Sequence, residues 1–170
     1  MRPKFTIDLE GGIGILGFGG DVITPSFLAL AGYRQNYASW FGLHVRAGLV
    51  LGIATFDASN SSSSSYSTSE SQTDSTSMTG GMLEVLPFFG PFGRFYFGPI
   101  IWGGYLNFGS SELYSAPVHE MLESRAFLGL GGEMGWVLGD REQTVLSFAV
   151  REASLNSNTV FFTAGIGFQI

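Results

Sequence analysis

The segment "TVFFTAGIGFQI", Thr159–Ile170, alternates along its whole length. Val160, Phe162, Ala164, Ile166, Phe168 and Ile170 are all apolar, while Thr159, Phe161, Thr163, Gly165, Gly167 and Gln169 are mostly small or polar. A period of two is the signature of a β-strand with one apolar face. The medium which that face meets decides the fold.

The alternation recurs upstream. In "FGLHVRAGLVLGI", Phe41–Ile53, the odd positions form a continuous apolar stripe, and His44 and Arg46 share the even face with Gly42, Gly48 and Gly52. "FTIDLEGGIGILGF" sets Phe5, Ile7, Leu9, Ile13 and Ile15 against Thr6, Asp8, Glu10, Gly12 and Gly14. "LESRAFLGLGGEMGWVL" sets Ala126, Leu128, Leu130, Met134, Trp136 and Leu138 against Glu123, Arg125, Gly129, Gly131, Glu133 and Gly135. Eight such segments are predicted, at about 5–18, 26–35, 40–56, 81–89, 94–108, 122–138, 144–153 and 159–170. Their connections alternate in length. "NYAS", "GPFG" and "GDREQ" are tight turns, whereas "DASNSSSSSYSTSESQTDSTSMT" (57–79) and "GSSELYSAPVHEM" are long. Short turns at one end and longer loops at the other are the habit of an outer-membrane barrel. With eight strands, both termini then fall on the short-turn, periplasmic side. Two segments are less regular. The second has no clearly apolar face and carries Arg34 toward its periplasmic end. The fifth contains Pro99, which cannot donate to a ladder and predicts a bulge, leaving the facing of Ile100, Ile101 and Trp102 open.

Composition points the same way. Only 13% of the residues are charged, against roughly 25% in soluble domains. Lys4 is the only lysine, while glycine (25 residues) and aromatics (15%) are abundant. A soluble ligand-binding barrel carries apolar residues inside and charges outside. Here the charges share a face with the glycines, which suits the crowded interior of an eight-stranded barrel. Trp40, Phe41, Phe89, Phe95, Trp136 and Phe168 fall near the turn-side ends, as an interfacial aromatic girdle would. With no cysteine, neither disulfides nor thiolate metal sites are available. The net charge of −6 argues against nucleic acid as a partner. "MRPKFTIDLE" has no apolar core of a secretory signal, so Met1 is expected to stand where a signal peptide has been removed. The expectation is one domain over 1–170, an all-β, eight-stranded antiparallel transmembrane up-and-down barrel in the bacterial outer membrane, with a Ser-rich extracellular loop at about 57–79.

As a pattern over its whole length, the chain resembles the small eight-stranded outer-membrane barrels of Gram-negative bacteria (OmpA/OmpX-like). The resemblance implies insertion among outer-membrane lipid and lipopolysaccharide. It also implies recognition of the last strand by the barrel-assembly machinery, although Ile170 stands where a terminal aromatic is usual and Phe168 is the nearest one. Some barrels of this kind modify lipid. His44, however, is followed two residues on by Arg46 and not by Ser, and His119 near Ser115 and Glu120 lacks an evident orienting group. A ten-stranded protease barrel would need a longer chain. Glu120, Glu123, Asp57, Glu70 and Asp74 lack metal-ligand spacing. The tract 57–79, with 11 serines in 23 residues, reads as a solvated loop. The glycine pairs read as strand kinks and barrel corners, not phosphate-binding loops.

Counting from the turn-side strand ends brings Arg46 and Glu84 to one height on neighbouring strands, with Glu10 and Glu133 close and Arg151 higher. These residues and His44 form the expected lumenal polar cluster: Glu10, His44, Arg46, Glu84, Glu133 and Arg151. No catalytic residue, metal or cofactor is expected. The expected function is a non-enzymatic outer-membrane barrel for surface-loop display, adhesion or envelope integrity. The alternatives are a barrel subunit of a larger envelope assembly binding a protein through loops or outer face, a lipid-modifying enzyme, or a narrow pore.

Overall fold

A computed structural model describes residues 3–16, 22–58, 72–90, 94–109, 124–138, 144–154 and 158–170. Its eight strands are β1 (Lys4–Leu16), β2 (Val22–Asn36), β3 (Phe41–Ala58), β4 (Gln72–Phe89), β5 (Phe95–Phe108), β6 (Arg125–Leu138), β7 (Thr144–Ser154) and β8 (Asn158–Gln169). Each pairs antiparallel with its sequence neighbour, and β1 pairs with β8, so the sheet closes without an edge. Closure satisfies the ladder hydrogen bonds within the chain, which a lipid environment requires.

The period-two reading gives the facing of the strands other than β2 and β5, which the structure supplies. Leu128 and Leu130 are 74% and 66% exposed on the outside, while Arg46 and Glu84 are 1% and 0% exposed inside. An outward apolar wall around a charged interior inverts the soluble pattern and makes this a transmembrane barrel. At the turn-side ends the aromatics touch one another: Phe41 and Phe89 lie 5.4 Å apart, and Phe95 and Trp136 5.3 Å. Phe168 stands exposed on the same outer wall. The interior is layered, with Leu86, Phe88, Tyr96 and Val145 buried toward the turn side. Charged residues occupy mid-height, and Val50, Met78, Leu106, Trp102, Phe127 and Phe161 fill the loop-side half. Trp102 meets Phe127 at 4.5 Å and donates from Nε1 to the Glu152 carbonyl at 2.9 Å.

Three expectations change. First, β4 begins at Gln72 and not near residue 81, and β3 continues to Ala58, so much of the serine-rich tract is ladder, paired from Thr55↔Ser75 to Ala58↔Gln72. Threonine and serine sustain a strand there without an apolar face, because pairing to β3 supplies the backbone bonds. Residues 59–71 lie outside the described residues, as do Ser115, His119, Glu120 and Glu123. Second, Pro99 makes no bulge. Val85↔Ile101 and Phe89↔Phe97 keep one register on either side of it, so no residue is inserted. Pro87 and Pro99 come opposite each other in that register, and neither can donate, so pairing lapses and resumes. Ile100 and Trp102 therefore face the lumen, and Ile101 faces lipid. Third, β2 starts at Val22 and has an apolar outer face, with Ile23 and Phe27 exposed, while its inner face mixes Leu28 and Leu30 with Thr24 and Ser26.

Candidate functional site: the lumenal charge layer

Five strands contribute one long charged side chain each to a single layer: Glu10 from β1, Arg46 from β3, Glu84 from β4, Glu133 from β6 and Arg151 from β7. All five are buried. Arg46 stands directly opposite Glu84 in the β3–β4 ladder. Its Nη2 donates to Glu84 Oε1 and to Glu133 Oε2, and Nη1 lies 3.5 Å from Glu10 Oε1. Arg151 takes the opposite side. Nε donates to Glu84 Oε2 at 2.7 Å, and Nη1 and Nη2 donate to the two Glu10 oxygens at 2.7 and 3.0 Å. Arg151 was expected higher up. Strand tilt staggers the ladders, so equal counts from the strand ends are not equal heights.

Residues outside the predicted set complete the layer. Thr163 accepts from Arg151 Nη1 at 2.7 Å and donates to Glu10 Oε2 at 2.6 Å, and Tyr96 donates to Glu133 Oε1 at 2.6 Å. Glycine makes the room. A β-carbon on Gly165, across the ladder from Glu10, would lie 2.5 Å from Glu10 Cγ. His44 is buried on the same inward face but takes no part in the guanidinium–carboxylate pairs. Its Nε2 lies 2.8 Å from Thr6 Oγ1 and 3.8 Å from Asp8 Oδ2. Asp8 lies 3.7 Å from Arg46 Nη1, and its Oδ2 makes no hydrogen bond.

Chemically, this arrangement fills the bore with reciprocal ion pairs. The one described histidine meets the Thr6 hydroxyl and Asp8 through the same Nε2, and its buried Nδ1 makes no hydrogen bond, so no carboxylate orients the ring from the far side as a hydrolytic triad requires. Among the described residues no group of side chains could hold a metal ion.

A closed eight-stranded sheet with lipid on its outer wall and paired charges in its lumen defines the class: an integral outer-membrane β-barrel. No protein-family model and no curated protein matches the chain. Solved structures do resemble it. The attachment invasion locus protein Ail of Yersinia pestis, solved with the heparin analogue sucrose octasulfate, is 15% identical, with 100% of each chain covered and a TM-score of 0.60. Neisserial surface protein A is 13% identical over 99% of this chain and 97% of its own, with a TM-score of 0.52. Both are small outer-membrane barrels, and the likeness is one of fold.

Proposed function

We propose that the chain is a non-enzymatic outer-membrane protein that works through what it presents on its loop side, while its lumen serves as structure. The observation that carries this reading is the charge layer, in which Arg46, Arg151, Glu10, Glu84 and Glu133 are buried across the bore and pair with one another. A second feature supports it. β7 and β8, of 11 and 12 residues, have about the length a tilted strand needs to cross a bilayer, whereas β3 and β4 have 18 each. Their excess lies at the loop end, where the outward residues of β4 are Thr79, Ser77 and Ser75. The β3–β4 hairpin thus extends past the shorter strands at the loop end. A polysulfated sugar such as the sucrose octasulfate present with the Yersinia barrel suits this chain poorly. Among the described residues the loop side offers only Arg125 as a cation, and the chain is acidic overall.

Planar-bilayer recordings should show no steady conductance from the refolded barrel, and lipid A from cells should have the same mass spectrum with and without expression. A discrete conductance, or an altered acyl pattern, overturns the reading.

The subunit alternative has one observation in its favour. Gly11 and Gly132 face lipid in an apolar depression also lined by Phe97, Phe148 and Phe162. A β-carbon on Gly11 would meet nothing within 4 Å, and on Gly132 nothing nearer than 3.8 Å. Packing within the chain does not require these glycines, and small residues in a membrane face allow close approach of a partner. Gly11→Leu with Gly132→Leu should fold normally but abolish any co-purification seen in mild detergent. Co-purification that survives the substitutions removes this support. The last strand, with Ile166, Phe168 and Ile170 outward, is the segment offered to the assembly machinery.

A further inference from the structure

The turn-side mouth of the barrel holds a cation that the charge layer does not use. Arg34 lies on the inward face of β2, opposite His44 in the β2–β3 ladder. Its guanidinium carbon sits 4.2 Å from the centroid of the Phe88 ring and 4.3 Å from that of Tyr96. Those rings meet edge to face at 5.5 Å, and the Tyr96 hydroxyl is tied to Glu133 at 2.6 Å. Packed rings therefore hold the guanidinium in place. Yet Arg34 has no ion pair and no hydrogen bond among the described residues. A guanidinium presents five N–H donors in a fixed fork, and half-burial deprives it of part of its water.

That fork borders a cavity of about 400 Å³, within the size range of small-ligand sites. Lys4, Asn36, Trp40 and Gln169 line it with Arg34, and among the described residues no Asp or Glu does. The surrounding charge agrees. Among the described residues, Lys4, Arg34 and Arg94 stand at the turn-side ends, and the nearest carboxylates belong to the lumen deeper in. Those carboxylates, Asp8, Glu10, Glu84 and Glu133, outnumber Arg46 and Arg151, so an anion drawn into the mouth is repelled from going further. The mouth is a terminus, not a path.

We propose that the turn-side mouth is an oxyanion site: Arg34 takes a carboxylate or phosphate group of a small ligand through its paired N–H donors. The aromatic wall at Trp40 receives the ligand's apolar part. A planar fork selects oxyanions over a spherical halide, because two parallel N–H bonds need two oxygens at fixed spacing.

The test is an NMR titration of the whole refolded barrel in a non-ionic detergent, following the Arg34 Nε–H, the Trp40 indole and the Gln169 carboxamide. Sodium phosphate and sodium acetate are added in separate arms, with sodium chloride at equal ionic strength as the third. Saturable shifts with either oxyanion and none with chloride are expected, and the tighter of the two names the group. Arg34→Met should weaken binding roughly tenfold or more, since a charge-assisted pair is lost. Arg34→Lys should keep a weaker site. Equal shifts in chloride, no saturable shift in either oxyanion arm, or undiminished binding in Arg34→Met overturns the proposal. If Arg34→Met does not fold, the comparison of the oxyanions with chloride on the wild-type protein decides.

Discussion

The charge layer and the β3–β4 hairpin are both polar, and they obey opposite rules. In the layer, side chains from five strands meet across the lumen, and partners lie far apart in sequence: Arg151 bonds to Glu10, 141 residues away. In the hairpin, residues 55–58 and 72–75 are held by their neighbours across one ladder. The first region is over-determined and buried; the second is local and stands toward water. One region should therefore break under a single substitution, and the other should tolerate the loss of a whole segment.

The largest effect belongs to Arg46. Arg46→Met leaves three buried carboxylates to Arg151 alone, with Glu133 3.7 Å from it, and breaking a buried pair costs about 3–5 kcal/mol. The melting temperature, read from the temperature at which the unboiled gel mobility is lost, should fall steeply. Arg46→Met with Glu84→Gln removes one of those carboxylates and should recover part of that loss. Damage equal to the sum of the two single variants means that the residues do not interact.

Next comes the space beside the layer. Gly165→Val drives a β-carbon into Glu10 Cγ, and overpacking of this kind costs about 1–3 kcal/mol. Gly11→Val, on the outward face of the facing strand, meets nothing and should change stability by a few tenths at most. Equal effects from the two would show that the lumen yields as easily as the lipid face. Smaller again is Trp102→Phe, which keeps a ring against Phe127 but loses the bond to the Glu152 carbonyl. A loss of about 1 kcal/mol is expected. A neutral result would show that the bond is replaced by water.

Much of the charge layer was legible in the sequence, because a period of two assigns faces without knowledge of packing. Arg46 opposite Glu84 needed only equal counts from the turn-side ends of β3 and β4, where Phe41 pairs with Phe89. The part that was not legible concerns height. Arg151 enters the layer, and Asp8, Thr163 and Tyr96 reach it, because tilted ladders shift each strand against the next. No count along one strand contains that shift. Arg34 was visible as a cation near a strand end, but its seat on Phe88 and Tyr96 joins β2, β4 and β5. The hairpin failed for a different reason. Apolar alternation marks a strand only where one face is buried in core or lipid, and Gln72–Ser77 carries no apolar stripe, so its strand character rests on pairing, to β3 along its length and to Gly109 at Ser77.

That difference gives the smallest expected effect and the sharpest test of the contrast. Replacing residues 59–71 by a short turn shortens the connection between Ala58 and Gln72, which are already paired across the ladder. Loop-closure cost changes by only about 0.6 kcal/mol for each doubling of loop length. Shortening a connection whose ends are held together should therefore leave the melting temperature nearly unchanged or slightly raised. Extending the cut through Ile53 on β3 and Ser77 on β4 is another matter. It removes ladder pairs and uncovers Met78, which is fully buried in the loop-side layer of the lumen. Measured on the same gel, the first deletion should retain the fast-migrating unboiled form and the second should lose much of it. If the first deletion already abolishes that form, the serine-rich connection is itself structural, and the local character assigned to the hairpin is wrong.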